Sequence, residues 1–302
     1  MAFAPTPAHL PIATRRAAGR LIAGMTALLA VLLVLDAALV VGGGIATPDL
    51  QAVFSATGES GLLSFVCVTQ VALVALTLAG FAGALRHTGA GRWRGWAALA
   101  AFFAYLAVDD GTRLHEGIGT AFAATPLGDS GVGNLFPSYY WQLVLGPLFA
   151  LAGLLMLRFL WREIRAPRDR ALVLSAFALL ALAVAMDFAE GLPTAYPGNP
   201  VTALALAAPT QSLADGLAMA SLDLVVHAFR AVEEAIETLA FTLFWAAFLS
   251  HIGATLRGVT LRFAPDGEAA SSDDDSPADG ATPAWIARPR AARAAAPDEA
   301  LV

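Results

Sequence analysis

The chain has 302 residues, of which 58% are hydrophobic and only 14% are charged, with a formal net charge of −6. Soluble domains are about a quarter charged, so this composition indicates a membrane protein. All 18 basic residues are arginines, which excludes retinal or any other cofactor held as a Schiff base on lysine. The single cysteine, Cys67, excludes an intrachain disulfide and a cysteine-based metal site.

Six apolar stretches are long enough to cross a bilayer, which takes about 20 helical residues. They cover residues 18–41, 61–85, 94–116, 139–160, 171–190 and 222–252. The first follows Arg15, Arg16 and Arg20 but exceeds the roughly 7–15-residue apolar core of a signal peptide, so we expect it to be retained. The sequence therefore predicts an all-α polytopic membrane protein, with a six-transmembrane-helix bundle over residues 18–256.

The arginines predict the orientation of these helices. They lie before the first stretch, around residues 86–94, around residues 158–170 and after residue 256, whereas the alternate connections 42–60 and 191–221 lack basic residues. By the positive-inside rule both termini are cytoplasmic, and a bacterial-type inner membrane is expected. Residues 1–17 would form a short cytoplasmic segment, and the Ala-, Pro- and Asp-rich residues 264–302 a disordered cytoplasmic tail.

Charged side chains are concentrated in three short stretches at the ends of apolar segments. Residues 108–117 read VDDGTRLHEG, residues 186–191 read MDFAEG and residues 227–237 read HAFRAVEEAIE. Positions i, i+3, i+4 and i+7 share one helix face. Such spacings relate Asp109, Arg113 and Glu116; Asp187 and Glu190; and His227, Arg230, Glu234 and Glu237. We therefore predict that the three stretches converge on one polar site.

Four acids are predicted to lie at one depth in the membrane. Asp36, Asp109 and Asp187 follow the cytoplasmic arginine of their helices by 16, 15 and 17 residues. At 1.5 Å per residue they lie about 22–26 Å above the inner boundary. Glu237, which is 14 residues before His251 on the inward-running last helix, falls near the same level. The polar site is thus expected in the outer half of the bilayer.

The acids of this region outnumber its cations. Nine acids, Asp36, Asp109, Asp110, Glu116, Asp187, Glu190, Glu233, Glu234 and Glu237, face two arginines, Arg113 and Arg230. An unpaired charge at membrane depth costs on the order of 3 kcal/mol, so the remaining acids must be protonated, hydrated or bound to cations. Carboxylates and imidazoles together suit Zn, Mn or non-haem Fe.

The predicted site binds divalent metal, with Zn, Fe and Mn not distinguished. The predicted ligands are Asp109, His115, Glu116, Asp187, Glu190, His227, Glu234 and Glu237, with Glu233 as a general base. Asp36, Asp110, Arg113 and Arg230 would complete the polar site. The two arginines are interpreted as salt-bridge partners of neighbouring acids or as a clamp for an anionic substrate group.

The function predicted from these residues is that of a membrane metalloenzyme, hydrolytic or di-metal redox, acting on a lipid or another apolar small molecule. Two alternatives explain the same acids. One is a transporter linked to protons or divalent cations, and the other is a sensor or assembly subunit with a structural polar core. The bilayer is the expected partner, and no nucleic acid is expected. Phe136, Tyr139, Tyr140 and Trp141 resemble an interfacial aromatic belt.

Overall fold

The computed structural model describes residues 14–45, 47–58, 61–89, 91–128, 135–215, 217 and 219–256. Every regular element among them is helical, which confirms the predicted all-α class. The helices are α1 (Thr14–Asp36), α2 (Pro48–Phe54), α3 (Leu62–His87), α4 (Trp93–Thr112), α5 (Leu114–Ala123), α6 (Tyr140–Glu163), α7 (Pro167–Glu190), α8 (Pro200–Ala205), α9 (Ala208–Asp215) and α10 (Ser221–Thr255). A π-helical turn, Ala37–Val41, extends α1.

Five helices are long and apolar enough to cross a membrane: α1 with its extension, α3, α6, α7 and α10. The protein is therefore a helical membrane protein. The predicted third span corresponds to α4, which is not among these five helices. It carries Arg94 near its start and Asp109 and Asp110 near its end. Residues 1–13 and the predicted tail 264–302 lie outside the described residues.

The long helix α10 lies at the centre of the bundle and packs against α1, α3, α7, α8 and α9. Its carboxyl-terminal half carries Phe241, Phe244 and Phe248, which are all at most 3% exposed. These rings meet Phe103 of α4 edge to face, with ring centroids 5.8–6.2 Å apart. Such pairs contribute about 0.5–1.5 kcal/mol beyond area burial, so this aromatic cluster joins α4 to α10.

A sharp break separates α4 from α5. Arg113 is the one described non-glycine residue with a positive φ, at 57°. The carboxylate of Asp109 accepts a hydrogen bond of 2.9 Å from the backbone N–H of His115, and so satisfies a donor that the first turn of α5 leaves unpaired. The predicted third span to residue 116 is therefore interrupted, and the face shared by Asp109, Arg113 and Glu116 in one continuous helix is not formed.

After this break α5 packs closely against the start of α6. A Cβ atom added to Gly119 would lie 2.7 Å from the backbone nitrogen of Trp141 and 3.1 Å from its Cβ atom. A backbone atom cannot rotate away as a long side chain would. Glycine at position 119 is therefore required for the approach of the two helices.

We expect Gly119→Ala to destabilise the protein by about 1–3 kcal/mol, the usual cost of overpacking. The matched control is Gly117→Ala in the same helix, where an added Cβ atom meets nothing within 4 Å and the helix propensity of alanine is favourable. Thermal or denaturant unfolding in detergent measures both variants. Equal stability of the two variants would contradict the close packing of α5 on α6.

Candidate functional site

One large cavity, of about 1330 Å³, lies among α4, α5, α6, α7 and α10. Eight acids from the three predicted stretches line it: Asp109, Asp110, Glu116, Asp187, Glu190, Glu233, Glu234 and Glu237. His115, Arg113 and Arg230 line the same cavity. The structure thus brings together all the predicted site residues except Asp36 and His227.

Most of the remaining cavity wall is apolar. Phe102, Phe103, Leu106, Phe149, Leu157, Phe177, Leu180, Phe241 and Phe244 line it. On α6 the lining includes Gly146, Ala150 and Gly153, whose small size leaves room beside the helix. The cavity therefore joins an acidic end to an apolar end.

Three carboxylates form a close group among the residues that the structure describes. Oxygens of Asp187 and Glu190 on α7 and of Glu233 on α10 all lie within 4.8 Å of one another. Asp187 and Glu190 are adjacent because they occupy positions i and i+3 of one helix. Glu233 joins them because α10 packs along α7. The three side chains are partly buried, and this spacing is one that a single metal ion could bridge.

Neighbouring side chains hold two of these carboxylates in place. Gln142 donates a hydrogen bond of 2.7 Å from its Nε2 atom to Oδ2 of Asp187. Oε1 of Glu190 accepts a 2.9 Å hydrogen bond from the Tyr139 hydroxyl and another from the Arg230 guanidinium. Burial and then the nearby Glu190 carboxylate raise the pKa of the Tyr139 phenol to about 12, so this hydroxyl remains a donor at neutral pH.

A second polar group lies at the α4–α5 break. Oδ2 of Asp109 is 3.1 Å from Nδ1 of His115, and Asp109 is only 5% exposed. Arg113 forms an ion pair with Glu116. The His115 ring also contacts Trp141 edge to face, at a centroid distance of 4.9 Å. Asp109 therefore orients the imidazole that faces the cavity.

Asp36 and His227 pair with each other outside this cavity. Nε2 of His227 lies 3.0 and 2.9 Å from the two carboxylate oxygens of Asp36. Its Nδ1 atom lies 3.4 Å from the hydroxyl oxygen of Thr57. Asp36 also accepts a 3.0 Å hydrogen bond from the backbone N–H of Ala56. Both nitrogens of His227 therefore have protein partners, and the pair links α1 to α10.

The sequence did not indicate several polar side chains beside the acids. The sequence pattern places Tyr139 in an interfacial aromatic belt and Gln142 in the apolar stretch 139–160, yet both side chains hydrogen-bond to the carboxylate group. Ser138 donates a 2.9 Å hydrogen bond to the backbone carbonyl of Phe188. The available signal was their position at the start of α6, near the level of the acids. Spacing alone does not identify the acid that each contacts.

The comparison with protein families gave a match to the model described as Domain of unknown function (DUF8692), over residues 25–252. The comparisons with curated proteins and with solved structures gave no match. The family match begins within α1 and ends within α10, so it includes every residue that lines the cavity. Because it covers most of the chain, the protein belongs to the DUF8692 family.

Proposed function

We propose that this protein is a membrane metalloprotein, and an enzyme, that binds one or two divalent ions and acts on a lipid-like substrate. The observation that carries the proposal is the placement of the Asp187, Glu190 and Glu233 carboxylates within 4.8 Å of one another at the acidic end of a largely apolar cavity. The acidic end would hold the ion, and the apolar end would hold the substrate chain.

Electrostatic repulsion supports a bound cation. Two ionised carboxylates about 4–5 Å apart repel each other by about 3–4 kcal/mol at an effective dielectric constant of 20. Arg230 forms an ion pair with Glu190. Within the described part of the chain, neither Asp187 nor Glu233 forms an ion pair with an arginine. A divalent ion would neutralise the group and use ligand types that suit Zn, Fe and Mn.

One buried polar atom also supports a further species in the site. Oε1 of Gln142 is buried and accepts no hydrogen bond within the described part of the chain, although Nε2 of the same amide binds Asp187. Buried polar atoms are nearly always satisfied. A water molecule held near a metal ion would supply the donor that this oxygen requires.

In this proposal Asp187, Glu190 and Glu233 are metal ligands. Glu234, Glu237, Asp110 and Glu116 are further acids that line the cavity. With Nδ1 of His115 held by Asp109, Nε2 is the nitrogen that would coordinate, as in carboxylate–histidine–metal arrangements. Glu233 thus serves as a ligand rather than as the predicted general base. His227 and Asp36 stay outside the ligand set because they pair with each other.

The chemistry that a divalent ion supplies is the activation of water or oxygen, or the polarisation of a substrate oxygen. The residues of this chain would bind and orient the reactants. Transport of protons or cations is less well supported, because beyond the acids the cavity continues along Phe103, Phe177 and Phe244, which offer no ligands to a passing ion.

We also propose that α4 is a sixth span and that both termini are cytoplasmic, in an inner membrane of bacterial type. The arginine-rich connections follow α3 and α6, whereas the acids lie at the opposite ends of α4 and α7. Under the positive-inside rule the cavity then opens toward the extracytoplasmic side.

We expect Glu233→Gln to have opposite effects on the metal-free and metal-loaded protein. Without metal, the substitution removes repulsion from Asp187 and Glu190 and raises the free energy of unfolding by about 1–3 kcal/mol. With metal, the wild type gains about 2.7 kcal/mol at an ion concentration 100 times its Kd, and the variant loses most of this gain. Thermal unfolding in detergent, with chelator and then with Mn or Zn, measures both effects.

The matched control for this experiment is Glu163→Gln. Glu163 lies at the carboxyl-terminal end of α6, does not line the cavity, and pairs with Arg92 at 3.4 Å. Its response to metal should equal that of the wild type. A metal response of Glu233→Gln equal to that of Glu163→Gln would reject the metal site. Destabilisation of metal-free Glu233→Gln would instead favour a structural polar core.

Metal affinity should fall as the pH is lowered. Protons compete with the ion for the carboxylate ligands, so binding displaces protons. For each proton that the ion displaces, the affinity falls by up to about tenfold with every unit by which the pH drops below the pKa of that group. Calorimetric titration with Mn at pH 7.5 and 5.5 tests this dependence, and equal affinity at both values would be inconsistent with carboxylate coordination.

A further inference from the structure

We propose that Thr57, His227 and Asp36 form a nucleophile, base and carboxylate triad that cleaves carboxylic esters, with Thr57 as the residue that attacks the substrate. The observation that carries this inference is that Thr57 lines the large cavity while its hydroxyl contacts the His227 ring, whose other nitrogen is held by Asp36. The triad is a second catalytic group and does not depend on the proposed metal site.

The hydrogen bonds of the triad run in one direction, from the hydroxyl to the carboxylate. An ionised carboxylate only accepts hydrogen bonds, and the two oxygens of Asp36 lie 3.0 and 2.9 Å from Nε2 of His227, so Nε2 carries a proton. In the neutral imidazole Nδ1 is then the acceptor. The Thr57 hydroxyl oxygen lies 3.4 Å from Nδ1. This is the arrangement in which a histidine acts as the general base for a hydroxyl nucleophile.

The segment before Thr57 fixes its hydroxyl beside the histidine. Asp36 accepts a 3.0 Å hydrogen bond from the backbone N–H of Ala56, so the carboxylate that orients the base also holds the chain next to the nucleophile. Oγ of Ser55 accepts the Thr57 backbone N–H at 3.3 Å and lies 3.1 Å from Oγ1 of Thr57. The Ser55 hydroxyl is thereby free to donate to Oγ1, which leaves the Thr57 proton for His227.

Burial divides the triad into a shielded pair and an accessible nucleophile. The side chains of His227 and Asp36 are only 11% and 5% exposed, whereas Thr57 is half-buried and reaches the cavity. A structural link between α1 and α10 requires only the Asp36–His227 pair. The Thr57 hydroxyl adds a reactive group at the point where the cavity meets that pair.

The cavity wall indicates the class of ester. Eight carboxylates line the cavity and would repel a substrate with a negatively charged head group, whereas an ester group is neutral. Apolar side chains such as Leu157, Phe177 and Leu180 line the same cavity and match a hydrocarbon chain. We therefore assign the substrate as a fatty-acid ester of an uncharged or cationic alcohol.

The reaction proceeds through an acyl group on Thr57. Oγ1 of Thr57 attacks the ester carbonyl carbon while its proton moves to Nδ1 of His227, and Asp36 stabilises the imidazolium that forms. The bond from the acyl carbon to the alcohol oxygen then breaks, and that oxygen takes the proton from Nδ1. Water next attacks the acyl group and gives a proton to Nδ1, and Oγ1 leaves with this proton. The net reaction converts ester and water into fatty acid and alcohol.

The test uses the full-length protein in detergent with a metal chelator. Hydrolysis of p-nitrophenyl dodecanoate gives the rate, and a long-chain alkyl fluorophosphonate identifies the nucleophile, because an Oγ1–P bond forms as fluoride leaves. We expect steady ester hydrolysis and one phosphonyl group per chain, located at Thr57 by peptide mass spectrometry. No hydrolysis, or a label at another residue, would overturn the inference.

Variants of the triad separate catalysis from a structural role. Thr57→Val and His227→Gln should each lower the rate at least about 100-fold, within the usual range for loss of a base or nucleophile, whereas Thr57→Ser should keep both the activity and the label. Asp36 is a positioning residue, so Asp36→Asn should lower kcat with little change in KM. The matched control is Thr88→Val, because the Thr88 hydroxyl binds the backbone carbonyl of Ala84 and does not line the cavity.

Thermal unfolding shows the folded fraction of each variant, so that rates are compared per folded molecule, and Thr57→Ser provides the result if Thr57→Val does not fold. Folded Thr57→Val or His227→Gln with the rate of the wild type, or folded Thr57→Ser without a label, would reject the triad. Repeating the assay with Mn separates this inference from the proposed function. Hydrolysis that requires the metal and survives in Thr57→Val would reject the triad and support the metalloenzyme.

Discussion

Repulsion among carboxylates in a medium of low dielectric constant is the constraint on which this structure depends. Eight acids share one cavity, and three of them place oxygens within 4.8 Å of one another. If these carboxylates were all ionised and unpaired, the repulsion among them would exceed the usual net stability of a domain, which is about 5–15 kcal/mol. Cations, protons or water must therefore compensate it, and the remaining features of the site follow from how that compensation is arranged.

The helices position these charges by a small number of local features. The Asp109 carboxylate supports the first turn of α5 and holds His115, so one acid serves both the fold and the site. The long helix α10 carries acids in its first half and aromatic core residues in its second half. It therefore joins the acidic cavity to the packed aromatic cluster.

Much of the fold could be predicted from the sequence, because apolar length and helical period are local properties. The grouping of Asp187 with Glu190 followed from their i, i+3 spacing, and the structure adds Glu233 to them. Gly111 weakens the helix near this point, but the exact position of the break could not be predicted, since arginine has no preference for a left-handed backbone. The pairing of Asp36 with His227 joins residues 191 positions apart. Helical periodicity predicts which residues share one face of a helix, but it does not predict which other helix packs against that face.

The division of the cavity into an acidic end and an apolar end links the proposed ion to the proposed substrate. The decisive experiment is elemental analysis of detergent-purified protein beside the Asp187→Asn variant, which removes one charge of the carboxylate group. We expect near-stoichiometric Zn, Fe or Mn in the wild type and its loss in the variant. Wild-type protein that contains none of these metals, even after incubation with each, would contradict it.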